Sequence, residues 1–253
     1  MSSQTSTWYV DFFRNDYLNV YGHLFTPERA EKESAFAGEA LDLKPGARVL
    51  DLCCGQGRHS VPLARHGLRV TAFDLNPAFL ELAQRAAGAA KVDLETVAGD
   101  MREIPFENYF DATVNMYSSF GYLESEAEDA RVLDSIARAS KPGARLLLDM
   151  LNREWAIDNY IQNDWHSDPD GTLYVERRDL DLALSRMRVS FTIVEPNGAR
   201  RESIGHNIRL YTLTEMSHLL VHAGFGINEV FGGFEGETYA ITTRRMIICA
   251  SKL

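Results

Sequence analysis

One stretch constrains the fold of this chain more than any other: Arg48-Val-Leu-Asp51-Leu52-Cys53-Cys54-Gly55-Gln56-Gly57-Arg58-His59-Ser60. A short apolar run, a closely spaced glycine pair and a polar opening predict a buried strand, a tight turn and the start of a helix. The glycines let the backbone turn sharply and let a ligand lie against it. Free N–H groups at the helix start suit an anionic or carboxylate-bearing ligand. A second apolar run, Val70-Thr-Ala-Phe-Asp74-Leu75, ends in an acid 17 residues after Gly57. A carboxylate at the end of a second parallel strand accepts from both hydroxyls of a ribose, so the pattern points to a ribose-bearing ligand. Taken without Asp74, the glycines could equally make a plain strand–helix turn.

Glycine turns of this kind serve dinucleotides and other nucleosides alike. The dinucleotide form G-x-G-x-x-G needs a third glycine at position 60, where this chain has Ser60. A nicotinamide-dependent reductase nevertheless stays open as an alternative. Asp51, four residues before Gly55, matches instead the D-x-x-x-G-x-G form of class I (Rossmann-like) S-adenosylmethionine (SAM)-dependent methyltransferases, which the sequence resembles through most of its length.

The rest of the chain reads as alternating helices and strands. Pro27 to about Leu43 is a helix closed by Lys44-Pro45-Gly46, and Asn76-Pro77 opens a second from Ala78 to about Ala87. Val92–Val97, Phe110–Met116 and Arg145–Leu151 read as strands three to five, with a helix from about Glu126 to Ser140 before the last. This order predicts an α/β fold, a doubly wound and mainly parallel sheet. From Asn152 the pattern changes. Thr172–Arg178, Leu182–Val194 and Ala199–Tyr211 alternate, with a hairpin turn at Pro196-Asn197-Gly198, and predict at least three antiparallel strands. A helix at Thr214–Ala223 and strands at Ile227–Phe231 and Arg244–Ala250 then resume the first pattern. Residues 1–151 and 209–253 would form one domain, with 152–208 an inserted β layer. The resemblance makes the main sheet seven-stranded, with its final strand antiparallel.

Composition narrows the partners. With 253 residues the chain accommodates one large α/β domain and an insertion. No apolar run approaches the roughly 20 residues of a membrane span, and Met1–Thr7 lacks the basic and apolar regions of a signal peptide. Three cysteines, two of them adjacent, make no disulfide framework, which suggests a reducing, cytoplasmic setting. A net charge of −10 without a Lys/Arg cluster argues against nucleic acid as partner. The last residues, Ser251-Lys252-Leu253, spell a peroxisomal address but also read as the end of the final strand.

The resemblance also implies a site. It assigns SAM contacts to Asp51, Cys53, Gly55 and Gly57 of the turn, to Asp74 and Leu75, and to Asn115 and Met116 at the end of strand four. Asp100 would face the adenine amino group and Met101 would pack on the ring, although Asp100 also fits a helix N-cap. An N-terminal helix covers the cofactor cleft in such enzymes. Tyr17 and Tyr21, four apart on one helix face, are its candidates, with plain core packing as the alternative.

Four segments, Asp51-Leu-Cys-Cys-Gly-Gln-Gly-Arg-His, Gly99-Asp-Met-Arg, Ser118-Ser-Phe-Gly-Tyr and Arg209-Leu-Tyr-Thr-Leu-Thr-Glu-Met, are most similar to small-molecule enzymes such as the aminosugar N,N-dimethyltransferases. Their insertion helps to form the substrate pocket, and a homodimer through it is possible here. The acceptor would then meet Tyr117, Trp155, Trp165, His206 and Glu235, with Tyr122 as the catalytic candidate where those relatives often carry His. The expected reaction is in-line methyl transfer to a small-molecule amine. An O-methyltransferase and a SAM-binding sensor without turnover are the alternatives. No metal is expected, because strands four and five offer few clustered carboxylates, and Cys53 and Cys54 read as packing residues.

Overall fold

A computed structural model describes residues 8–253, so the segment Met1–Thr7, read above as lacking a signal peptide, lies outside the described residues. In chain order come helices α1 (Trp8–Asn15), α2 (Tyr17–Tyr21) and α3 (Pro27–Ala40), then β1 (Arg48–Leu52), α4 (Ser60–Arg65), β2 (Arg69–Asp74), α5 (Pro77–Ala90), β3 (Glu95–Ala98), β4 (Phe110–Asn115), α6 (Glu126–Ala139) and β5 (Ser140–Leu151). After these follow α7 (Arg153–Asp158), β6 (Asn163–Ser167), β7 (Leu173–Asp181), β8 (Arg186–Val194), β9 (Arg200–Arg209), α8 (Leu213–His222), β10 (Phe225–Phe231) and β11 (Arg245–Lys252).

Seven strands form the main sheet in the order β3-β2-β1-β4-β5-β11-β10. β1 pairs in parallel with both β2 and β4, and β11 runs antiparallel to β5 and β10. The central strands are apolar without alternation because helices cover both faces; Val49, Leu50 and Leu52 of β1 are all buried. The α/β, mainly parallel seven-stranded architecture is as expected from sequence. Ser251 and Lys252 belong to β11, and the Lys252 ammonium donates to the carbonyls of Ala137 and Ser140, both at 2.8 Å.

The boundaries depart most from the sequence expectation at two places. β5 begins at Ser140, which pairs with Phe110, and Lys141-Pro142-Gly143 is a bulge inside the strand before Arg145 pairs with Ala112. Leu182 to Ser185 is a turn, not the start of a strand. Asp181 Oδ1 accepts from the Leu184 N–H at 3.0 Å and Ser185 takes a φ of 48°, leaving Leu182 and Leu184 exposed despite their apolar side chains.

The second sheet has four antiparallel strands, β6-β7-β8-β9. Its edge strand β6 reads Asn-Asp-Trp-His-Ser, with no apolar alternation, and exists because β7 pairs with it. α1 and α2 pack on the apolar face of this sheet, where Trp8, Phe12 and Val20 join Val189, Phe191, Ile193 and Ile208. Phe12 lies parallel to Phe191, with centroids 6.4 Å apart.

Glu33 of α3 ties this framework to the glycine turn. Its side chain, 2% exposed, accepts from Arg58 Nη1, His59 Nε2 and Arg29 Nε, each at 2.7 Å. Burial alone would raise the carboxyl, but the hydrogen bond to His59 and the charge of Arg58 outweigh it and hold it at about 2, below the ordinary 4.5. The folded state therefore gains stability above pH 4.5 and loses it as pH falls towards 2. By linkage this contribution is about 3 kcal/mol. Glu33→Gln is expected to cost roughly that much in urea unfolding at pH 7. The gap between variant and wild type should narrow as pH is lowered through the same window, and a gap independent of pH would contradict the assignment.

Candidate active site

A cleft opens at the carboxyl ends of β1, β2 and β3. Its floor is made by Cys53, Gly55, Asp74, Leu75, Asp100 and Met101, and its roof by Tyr9, Phe13 and Tyr17 of the N-terminal helices. Ser119 and Tyr122 close the inner end.

Asp74 is held by the main chain. Its Oδ2 accepts from Gly55 N–H at 2.9 Å and its Oδ1 from Asn76 N–H at 2.8 Å. Each oxygen keeps a further lone pair for a ligand hydroxyl. Burial pushes this carboxyl up, and the two N–H groups oppose the shift. Asp100 is both cap and cleft wall: its side chain accepts from Arg102 N–H at 2.9 Å while it faces the opening. The Arg102 guanidinium, 2.6 Å away, lowers its pKa. Cys53, at a φ of 61°, places its sulfur 3.6 Å from the Met101 sulfur, so the two form one apolar wall.

Other residues of the motif support the cleft without lining it. Asp51 is buried and accepts from Ser60 Oγ at 2.5 Å, fastening β1 to α4. Gly57 takes a φ of 80°, and a Cβ there would come within 2.7 Å of Ala83 Cβ, so glycine is needed for α5 to approach. Asn115 donates to the Leu52 carbonyl at 2.9 Å, and Met116 packs in the core. Asp51, Gly57, Asn115 and Met116 are therefore framework residues in this structure, not cleft contacts.

The cofactor candidate Tyr21 and four of the acceptor candidates scatter. Tyr21 is drawn under the inserted sheet, its hydroxyl 3.2 Å from His206 Nδ1. Burial, and then Arg178, push His206 down to about 4, so the ring is neutral at neutral pH and accepts the Tyr21 proton. Trp165 is 67% exposed because β6 is an edge strand and the ring points outward. Glu235 sits on an exposed loop and pairs with Lys32. Trp155, on α7, lies 5.4 Å beneath Arg244. None of these five lines the cleft.

Tyr117 occupies a strained place just past β4. Tyr117 and Ser118 have φ values of 64° and 61°, which non-glycine residues rarely adopt. Asp149, fully buried, accepts from Tyr117 N–H at 2.7 Å, and its carbonyl accepts from Ser118 N–H at 2.9 Å. Arg245 in turn donates to Asp149 at 2.6 Å and to Ser118 Oγ at 3.0 Å.

The cleft also holds residues that the sequence reading missed, including Phe13, Arg14, Phe79 and Ser119. Phe13 was accessible in principle, since it precedes Tyr17 by four and packs on it at 4.7 Å. Tyr122 lines the cleft, its ring 5.3 Å from Trp8 and 5.6 Å from Phe13. It also walls off a second, polar opening of about 610 Å³ beside Arg186 and Asn207. Gly121 before it is required: at a φ of 96°, a Cβ would come within 2.7 Å of the Arg209 carbonyl.

These residues fit SAM. Asp74 would offer fixed acceptor positions to the ribose, Leu75 and Met101 would line the adenine, and the open space at Gly55 would take the amino-acid portion. Asp74→Ala is expected to weaken SAM binding by roughly 2 kcal/mol or more, as for a lost hydrogen bond to a charged group. Calorimetry on a variant with wild-type circular dichroism tests this, and unchanged affinity would move the ribose elsewhere.

Comparison with known proteins agrees with the geometry. Residues 49–143 match the family described as a methyltransferase domain. The chain is 28% identical over 209 residues to the cypemycin N-terminal methyltransferase of a Streptomyces species, covering 80% of this chain and 82% of that one. It is 26% identical over 233 residues to the dTDP-3-amino-3,4,6-trideoxy-alpha-D-glucopyranose N,N-dimethyltransferase of Streptomyces venezuelae, covering 87% and 94%. The fold is similar to that of SAM-bound CalS10, an amino pentose methyltransferase from Micromonospora echinaspora, with a TM-score of 0.69 at 22% identity over 94% of this chain and 99% of that one. The strand order, the Asp74 cradle and the matched domain agree: residues 49–143 carry a methyltransferase domain, and the chain has the fold of SAM-dependent methyltransferases.

Proposed function

We propose that the protein methylates an amine nitrogen of a small-molecule acceptor, at the inner end of the cleft beside Tyr17 and Tyr122. The observation that carries this is the protonation state of that end. Its titratable groups are Tyr17, Cys53 and Tyr122, and burial pushes each of them up, so each keeps its proton at neutral pH. A neutral amine attacks without losing a proton first, whereas an alcohol or phenol needs a base. The amine relatives named above support the same reading.

Bound SAM supplies an electrophilic methyl group on a sulfonium. The chain contributes alignment and exclusion of water. Asp74 fixes the ribose end, the Tyr9–Phe13–Tyr17 roof shuts out solvent, and the neutral Tyr122 hydroxyl orients the incoming nitrogen as donor or acceptor. A phenol that stays protonated cannot act as a general base, so Tyr122 is a positioning group.

Tyr122→Phe should lower kcat by about tenfold to a hundredfold, at the low end of acid–base effects, with SAM affinity nearly unchanged. The measurement is S-adenosylhomocysteine formation across matched amines, phenols and carboxylates, with SAM binding followed separately. Turnover confined to phenols would make this an O-methyltransferase. Absence of product from every acceptor would favour a SAM sensor, and wild-type kcat in the Phe variant would reduce Tyr122 to a pocket wall.

A homodimer through the insertion belongs to the same proposal. Trp165 lies opposite Val175 across the β6–β7 pair, and both side chains are exposed on one face. Trp165→Ser is expected to shift the sedimentation coefficient from dimer towards monomer; a monomeric wild type would remove the dimer.

A further inference from the structure

We infer that the acceptor carries an anionic group, a carboxylate or a phosphate, held by arginines gathered around Tyr117; the inference rests on the methyl-transfer reading above for the identity of its ligand. Three guanidinium carbons stand close to the Tyr117 ring: Arg58 at 4.3 Å, Arg29 at 5.5 Å and Arg245 at 5.9 Å. A fourth, Arg244, is the chain neighbour of Arg245 and packs over Trp155 at 5.4 Å.

The charges do not balance. Among the described residues, Arg29 and Arg58 share Glu33, and Arg245 takes Asp149, while no carboxylate lies within salt-bridge distance of Arg244. Four cations thus face two anions. Partial burial and then Arg245 pull the Arg244 guanidinium below its ordinary pKa, with Arg29 acting the same way. Arg58 shows the same deficit in its hydrogen bonds. Its side chain is 11% exposed, Nη1 is spent on Glu33, and Nη2 is buried with no partner. A buried, unpaired guanidinium N–H is costly unless a ligand accepts from it.

SAM does not remove the imbalance. Its carboxylate is offset by its own ammonium, and its sulfonium adds a positive charge. An acceptor with a negative group would neutralise the excess, and a planar guanidinium pair suits a carboxylate or phosphate. The surrounding cations also disfavour the ammonium form of an acceptor amine, which helps to deliver the neutral nucleophile.

The scaffold holds these groups in place. The strained turn at Tyr117 and Ser118 is fixed by Asp149, and the Arg244 carbonyl accepts from the Asn152 N–H at 3.0 Å. The Asn152 side chain donates to the carbonyls of Ala240 at 2.9 Å and Thr243 at 2.7 Å, which anchors the loop leading into Arg244. Backbone strain held by a buried carboxylate at this point accords with a binding role.

The experiment uses protein saturated with S-adenosylhomocysteine, so that the cofactor's own carboxylate is already seated. Inorganic phosphate, pyrophosphate and succinate are titrated calorimetrically into wild type, Arg244→Met and Arg58→Met. Saturable binding of at least one probe is expected, weakened tenfold or more by Arg244→Met, and the better probe tells phosphate from carboxylate. Arg244 lies at the rim and makes no ion pair, so its variant decides the matter if Arg58→Met does not fold. In the acceptor assay, amines bearing the anion should exceed their neutral esters or dephosphorylated counterparts tenfold in kcat/KM, a preference that Arg244→Met reduces. Absence of binding, binding that Arg244→Met leaves unchanged, or binding that vanishes once the cofactor site is filled would each overturn the inference. Arg244-dependent anion binding without turnover of any acceptor would uphold the anion site while refuting amine methylation.

Discussion

Parallel strands leave main-chain N–H groups at their carboxyl ends, and in this fold two strand-end carboxylates take them up. Asp74 at the end of β2 accepts from Gly55 and Asn76 N–H groups, and Asp149 near the end of β5 accepts from Tyr117 N–H. Each carboxylate shapes a loop on a neighbouring strand, so the edge of the sheet is set from within. Without Asp74, the glycine turn has no partner for the Gly55 amide; without Asp149, Tyr117 has nothing to hold it at positive φ. The Gly55 floor of the cleft and the Tyr117 turn beside β4 follow from these two contacts, because loops positioned by a rigid sheet carry the site.

The parts legible in the sequence are those where burial and pattern coincide. β1 and β2 could be read because both faces are covered and most of their core positions are apolar. Asp74 could be read because its place after the glycine turn has one common use. β6 could not, since Asn163–Ser167 is polar and owes its conformation to pairing with β7. The alternation in Leu182–Val194 misled at its first residues, where a hydrogen bond from Leu184 N–H to Asp181 outweighs the apolar side chains. Among site residues, Tyr21 and His206 were individually plausible, but their partnership 185 positions apart has no sequence signal. The arginines around Tyr117 were hidden for the same reason: positions 29, 58, 244 and 245 form no run, and an overall charge of −10 suggests the opposite.

The electrostatics of the two ends of the site differ, and the difference has a structural origin. At the ribose end, carboxylates are surrounded by main-chain donors and remain useful as acceptors. At the inner end, phenols and a thiol are packed among aromatic rings, which favours their neutral forms. Beyond them the arginines supply positive charge without a base. Such a gradient suits a nucleophile that arrives ready and needs only to be oriented.

The roof of the cleft and the inserted sheet are mechanically one piece. Tyr17 and Phe13 of the roof pack on Phe79 of α5, at 6.1 and 6.4 Å, and the Asn76 side chain donates to the Phe13 carbonyl at 3.4 Å, so the helices touch the main domain there mainly through aromatic contacts. On their other side the attachment is polar as well as apolar. Asp16, buried between α1 and α2, forms an ion pair with Arg201 at 2.6 Å and accepts from Ser203 Oγ at 2.5 Å, both on β9. The far end of β9 reaches the Tyr122 loop, where Arg209 N–H donates to the Gly121 carbonyl at 2.8 Å. β9 therefore connects the cleft roof at Asp16 and Tyr17 with the loop that carries Tyr122. A displacement of β9 by a bound acceptor would be felt at Asp16 and passed to Tyr17, because packed interfaces shift as units. β9, in a sheet far along the chain, thus braces both the roof and the Tyr122 end of a cleft whose floor comes from the first half.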